Sequence, residues 1–186
     1  MTKNKHTRLL PGFIHIIIFL IPLAIVAFLI ISGLPPFGKK GNVLGVGEKA
    51  PDFTLNDFEG NQVKLSNLKG QALVLEFWDS RCQTCLEELL ILQKLQTTFP
   101  QVSFLGIHVN NSPIENQKRA KAILSDNLEI SFPQLKDVDG KVYDMYKFNG
   151  TDPITYFVDK EGIVSERFSD FRTETEITAQ IQKLIQ

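Results

Sequence analysis

Cysteine is almost absent from this chain of 186 residues. There are two, Cys82 and Cys85, and none near the N-terminus that could carry a lipid. Histidine is scarce as well (His6, His15 and His108), so a four-ligand metal site would be hard to assemble from the folded part. Acidic residues are missing from the first 40 positions, which hold Lys3, Lys5, Arg8, Lys39 and Lys40. The other 15 of the 20 basic residues face 21 acidic ones, so residues 41–186 carry −6. With no basic stripe, that part excludes nucleic acid as a partner. No internal repeat or low-complexity tract is present.

Charge of either sign is absent from Leu9 to Gly38. The core of this run, Phe13 to Leu34, would extend about 33 Å as a helix, enough for a bilayer core of about 30 Å. It is too long for a signal-peptide core, and no Ala-x-Ala-like site follows. An uncleaved anchor is therefore expected at 13–34. It follows a short cytoplasmic N-terminus at 1–12 and precedes a flexible, glycine-rich tether at 35–47. The basic residues before the span outnumber those after it, which places the bulk of the chain outside the cytoplasm.

The folded domain is expected over 48–186. Asp52–Leu55 and Gln62–Leu65 alternate around a turn and read as an N-terminal β-hairpin. Ala72–Trp78 is apolar except for Glu76, as in a buried central strand. Apolar residues at 86, 89, 90, 92, 95 and 99 give a helix from Cys82 to Phe99, which Pro100 stops. Val102–Val109 is a second buried strand, and residues 114–127 are helical in pattern. Ile154–Val158 and Ile163–Phe168 flank Asp159-Lys160-Glu161-Gly162 as a hairpin, and an amphipathic helix closes the chain at Glu174–Gln186. The order implies an α/β sandwich around a mixed sheet.

Cys82-Gln83-Thr84-Cys85 lies where the strand turns into the helix. A helix N-terminus supplies unpaired N–H groups and about half a positive charge, both of which stabilise a thiolate. Arg81 adds a further charge beside it. Cys82, at the helix start, is the expected attacking thiol. Cys85, one turn on, would resolve the mixed disulfide. A structural disulfide would close too small a loop to constrain the unfolded chain much. A metal site would have only His108 to assist the two cysteines. Buried, inert core thiols remain the other alternative.

Gly47-Glu48-Lys49-Ala50-Pro51-Asp52-Phe53-Thr54-Leu55, Leu65–Gly70, Leu75–Cys85 and Pro153–Gly162 together resemble the redoxin (AhpC/TSA-like) branch of the thioredoxin superfamily. The similarity is greatest to its TlpA/ResA group of membrane-tethered thiol–disulfide exchange proteins. It implies a thioredoxin-like fold, with a mixed central sheet flanked by helices, an N-terminal β-hairpin and one N-terminal transmembrane helix. The redox-active Cys82–Cys85 disulfide would serve in place of any cofactor. Pro153 matches the family's cis-proline, and Trp78 the tryptophan beneath the active site. Glu88 matches a glutamate near the disulfide. Trp78, Arg81 and Asp152 fall where a substrate would be met. Glu76 stands where the TlpA/ResA group commonly has asparagine and thioredoxin has a buried acid. A carboxylate in that apolar strand should have a raised pKa and could serve as general base for Cys85.

Several positions depart from the pattern. Arg81 replaces an aromatic, Leu90 replaces a kink proline, and Gly150–Pro153 is one residue longer than usual. Ile154 stands where cytochrome-specific members have glutamate.

The resemblance implies an extracytoplasmic reductant of disulfides in exported proteins, with apocytochrome c as leading substrate. A membrane thiol transporter of the DsbD/CcdA kind would recharge it. The alternatives are a thioredoxin-fold metal (copper) chaperone and a peroxiredoxin-like peroxidase. The peroxidase pattern Pro-x-x-x-Thr-x-x-Cys fails here, because Leu75 and Asp79 occupy the proline and threonine places.

Overall fold

The computed structural model describes residues 44–109, 113–126, 130–146 and 152–186. The expected N-terminus, anchor and first part of the tether, up to residue 43, lie outside the described residues. Among the described residues no helix is long and apolar enough to cross a membrane.

Among the described residues seven strands form one sheet in the order β2-β1-β5-β4-β3-β6-β7. They are β1 (Thr54–Asp57), β2 (Gln62–Lys64), β3 (Ala72–Trp78), β4 (Val102–Val109), β5 (Gln134–Asp137), β6 (Ile154–Val158) and β7 (Val164–Phe168). Strands β3, β4 and β5 are parallel, while β6 runs antiparallel to β3 and β1 antiparallel to β5. Every residue of β3 is buried, as its near-continuous apolar run requires.

Among the described residues four α-helices accompany the sheet: α1 (Gln83–Thr98), α2 (Pro113–Asp126), α3 (Lys141–Tyr146) and α4 (Glu174–Leu184). On one face of the sheet, Val74, Trp78, Phe104 and Phe157 pack against Leu89, Leu92 and Leu95 of α1, Ala120 of α2, and Ile177 and Ile181 of α4. On the other, Leu75, Phe77, Ile107 and Tyr156 meet Phe53, Leu65, Val142 and Tyr146. Each fully buried large apolar side chain contributes about 1.5–3 kcal/mol. The buried phenols find acceptors: Tyr146 Oη donates to Pro51 O at 2.9 Å and Tyr156 Oη to Tyr146 O at 2.8 Å.

Most expected elements appear within two residues of their expected ends. A short 3-10 helix, Leu65–Leu68, follows β2. Two elements escape the sequence pattern. β5 has a single aliphatic residue, Leu135, so no apolar period reveals it, yet it is inserted between β1 and β4. α3 is only six residues long, and Asp137 starts it by accepting the N–H groups of Val142 at 3.2 Å and Tyr143 at 2.7 Å.

Candidate active site

Cys82 and Cys85 are joined by a disulfide, with Cα atoms 5.2 Å apart. Cys82 is the N-cap of α1, and the backbone N–H of Cys85 points at its Sγ at 3.1 Å. Thr84 Oγ1 lies 3.4 Å from the same sulfur, and in the disulfide state only the hydroxyl can donate. When the bond opens, both donors and the helix terminus face the sulfur that takes the charge. Cys82 keeps 9% of its surface and Cys85 none, so an incoming disulfide reaches Cys82 first.

The turn into the helix is built by Asp79. Its Oδ1 accepts the N–H of Arg81 at 2.8 Å and Arg81 Nε at 3.0 Å, and its Oδ2 accepts Arg81 Nη2 at 2.9 Å. Burial pushes the Asp79 carboxyl up, but the hydrogen bonds from Arg81 outweigh that and hold it below the ordinary range. The guanidinium expected to assist the Cys82 thiolate is therefore tied to Asp79, and its field at the sulfur is largely offset. The role of Asp79 was missed in the sequence, where no period or motif marks it.

Behind the disulfide, one row of the sheet is polar. Thr155 of β6, Glu76 of β3, Gly106 of β4 and Gln134 of β5 are successive register partners across four strands. Alternation puts Glu76 on the same face as Val74 and Trp78, toward α1 and Cys85. Gly106 has no side chain because Gln134 lies there; a Cβ would collide with the Gln134 amide.

Glu76 is fully enclosed and neither of its oxygens has a hydrogen-bond partner. Burial drives its carboxyl well above the usual range, and the charge of Glu88 adds to the effect. Glu88 is also fully buried, but it is better served. Its Oε1 accepts the hydroxyl of Thr155, and its Oε2 accepts the N–H of Arg172 at 2.8 Å. Burial raises the Glu88 carboxyl, while these two donors and the Arg172 charge oppose the rise. The structure thus places Cys85, Glu76 and Glu88 on one face of the sheet. Thr155, which only the strand register reveals, joins them.

Trp78 has no exposed surface and packs edge-on against His108, ring centroids 4.7 Å apart. It is enclosed in the same apolar cluster as Cys82 and Cys85. His108 is held neutral, its pKa lowered to about 4 chiefly by burial. Among the described residues no group of three histidine, cysteine or acidic side chains could hold a metal ion.

Continuing the β3–β6 register places Pro153 beside Trp78, at the sheet end that carries Cys82. Pro153 is buried and Asp152 exposed. No described peptide bond is cis, so the Asp152–Pro153 bond is trans and the cis geometry implied by the resemblance is corrected. Trans is the lower-energy isomer by about 0.5–1 kcal/mol.

A model of the AhpC/TSA family matches residues 46–167. The thiol-disulfide oxidoreductase ResA of Bacillus cereus is 27% identical over 180 residues, covering 97% of this chain and 98% of that protein. ResA of Oceanobacillus iheyensis is 30% identical over 153 residues, covering 80% and 76%. Among solved structures, the thioredoxin domain of a thiol-disulfide oxidoreductase from Bacteroides vulgatus is 25% identical with a TM-score of 0.64, covering 77% of this chain and 99% of that one. The exposed lipoprotein thioredoxin Etrx1 of Streptococcus pneumoniae strain TIGR4 is 25% identical with a TM-score of 0.63, covering 72% and 100%. The chain belongs to the AhpC/TSA family and is a thiol–disulfide oxidoreductase of thioredoxin fold, with ResA proteins among its relatives.

Proposed function

We infer that this protein is a single-pass bacterial membrane protein whose catalytic domain lies outside the cytoplasm and reduces disulfides in exported proteins. The observation that carries the chemistry is the asymmetry of the pair: Cys82 is N-capping and partly open, while Cys85 is closed off beside two buried carboxyls. The uncharged run from Leu9 to Gly38 supports the anchor. The match to ResA of Bacillus cereus extends over 97% of the chain.

The reaction starts from the dithiol. The Cys82 thiolate attacks one sulfur of the target disulfide, forming a mixed disulfide and expelling the first substrate thiol. Glu76 takes the proton of Cys85, whose thiolate then attacks Cys82 Sγ. The Cys82–substrate bond breaks, its electron pair leaves on the substrate sulfur, and the Cys82–Cys85 bond forms. Two substrate thiols are gained for two enzyme thiols oxidised. Pro153 flanks the pair, while Asp152 and the Asp79-bound Arg81 offer polar edges to an incoming peptide. A membrane thiol transporter of the DsbD/CcdA kind returns the electrons. Apocytochrome c, whose haem-attachment cysteines must stay reduced, is the leading substrate.

The equilibrium potential of the Cys82–Cys85 couple against glutathione tests the direction. A value near thioredoxin's, about −270 mV, is expected; one near about −120 mV, as in a dedicated oxidant, would make the protein an oxidase instead.

A further inference from the structure

Each turnover moves a proton on or off Cys85, and neither Cys85 nor Glu76 has any surface open to water. A base enclosed in this way needs a partner through which to lose the proton again. No oxygen of Glu76 has a partner in the disulfide state. Cys85 and Glu88 of α1 lie on its face of the sheet and Thr155 of β6 is opposite it, while on β4 its register partner Gly106 leaves a space that the Gln134 amide fills.

Thr155 is the only hydroxyl in that set. It lies directly opposite Glu76 in the antiparallel β3–β6 register, where Cβ atoms stand about 4.5–5.5 Å apart. Its own proton is already committed outward, to Glu88 Oε1. Glu88 in turn is bound through Oε2 to the N–H of Arg172. That residue belongs to the loop before α4, where the Arg172–Asp170 ion pair at 2.6 Å leaves 28% and 60% of its two side chains exposed. The row Glu76, Thr155, Glu88 therefore leads from the closed side of the disulfide to Glu88, itself enclosed but capped by a loop whose side chains are open to water.

We propose that the Thr155 hydroxyl relays the proton between Glu76 and Glu88. Once Glu76 has taken the proton of Cys85, a small rotation brings its acid hydrogen to Thr155 Oγ1. Thr155 accepts that proton as it passes its own to Glu88. One O–H bond forms at Thr155 as one breaks, so the hydroxyl ends neutral. Glu76 returns to the carboxylate, and Glu88 holds the proton until the Arg172 loop, whose main-chain N–H caps Glu88 Oε2, moves aside and admits a water that accepts it. Thr155 acts through the carboxyls and never touches substrate, which makes it a positioning residue. The relay rests on Glu76 being the base for Cys85.

The test compares Thr155→Val, which keeps the β-branched shape and loses the hydroxyl, with Thr155→Ser, which keeps the hydroxyl. The full chain in detergent is reduced and mixed with a disulfide-bridged peptide. The rate at which Cys85 releases the second peptide thiol is followed against pH, in H2O and D2O. General acid–base assistance is worth about 10²–10⁴-fold, so Thr155→Val should slow release at least about tenfold and remove its solvent isotope effect. Thr155→Ser should stay within about threefold of the parent. If the valine variant fails to fold, Thr155→Ala carries the same expectation. Unchanged release in the hydroxyl-free variant, or a serine variant as slow as valine, overturns the relay. Glu76→Gln separates the two levels. If it leaves release and its pH profile unchanged, Glu76 is not the base. If it slows release while Thr155→Val does not, the relay alone fails.

Discussion

Replacing Glu76 by leucine removes a carboxyl group with two buried oxygens that have no hydrogen-bond partner, inside a strand whose seven residues are all enclosed. Burying an unpaired polar group costs about 1–3 kcal/mol by mutational measurement. Glu76→Leu should therefore stabilise the oxidised protein by about that amount. In a domain of this size 1 kcal/mol moves Tm by about 4 °C, so the midpoint should rise by about 4–12 °C. The gain should also depend on pH. Burial and the Glu88 charge push the Glu76 carboxyl upward. Above the ordinary glutamate range the folded state thus keeps a proton that the unfolded chain has lost. In that window stability falls as pH rises, by at most about 1.4 kcal/mol per pH unit. The leucine variant lacks this slope, so its advantage widens with pH until Glu76 titrates in the folded state. Urea unfolding of both proteins between about pH 4.5 and about pH 7.5 measures it. Identical midpoints at every pH would refute the picture of an unpaired, enclosed carboxyl. The same variant should exchange disulfides slowly, a stability gain set against function.

His108 carries the opposite sign. Its folded pKa is depressed to about 4, so the stability due to its neutral burial is full above about 6.5 and is lost as pH falls toward 4. His108→Phe should flatten that acid limb in urea midpoints taken across the window. Gly106→Ala should destabilise by about 1–3 kcal/mol, because its Cβ meets the Gln134 amide; Gln134→Ala in the same chain should restore part of the loss. Arg81→Ala should change the Cys82 thiol pKa little while Asp79 is present, and much more in an Asp79→Ala background that frees the guanidinium. Thiolate absorbance in the four proteins of that cycle decides the point.

The strands and helices that bury a continuous or periodic apolar face could be read from the residues alone, and so could the cysteine pair at the strand-to-helix turn. β5 could not. Its partners β1 and β4 bury Gln134 and Asp137 by position in the sheet, and no sequence period records that. The site divides in the same way. Glu76 stands out as a lone acid in an apolar run, whereas Thr155 looks like any strand threonine until the register sets it against Glu76. Arg81 shows the limit of neighbour-based reasoning. Adjacent to Cys82 in sequence, it spends its charge on Asp79, whose carboxylate the turn directs back at it.

The division of labour between the two sulfurs is tested most directly by trapping the reaction halfway. The full chain carrying Cys85→Ala, and separately Cys82→Ala, is reduced in detergent and mixed with the disulfide-bridged peptide, then quenched with acid and weighed by mass spectrometry. An N-capping Cys82 that keeps 9% of its surface and a fully enclosed Cys85 require the Cys85→Ala protein to accumulate a covalent mixed disulfide at Cys82. The Cys82→Ala protein should form almost none. Equal trapping by both variants, or trapping through Cys85 alone, would contradict the assignment.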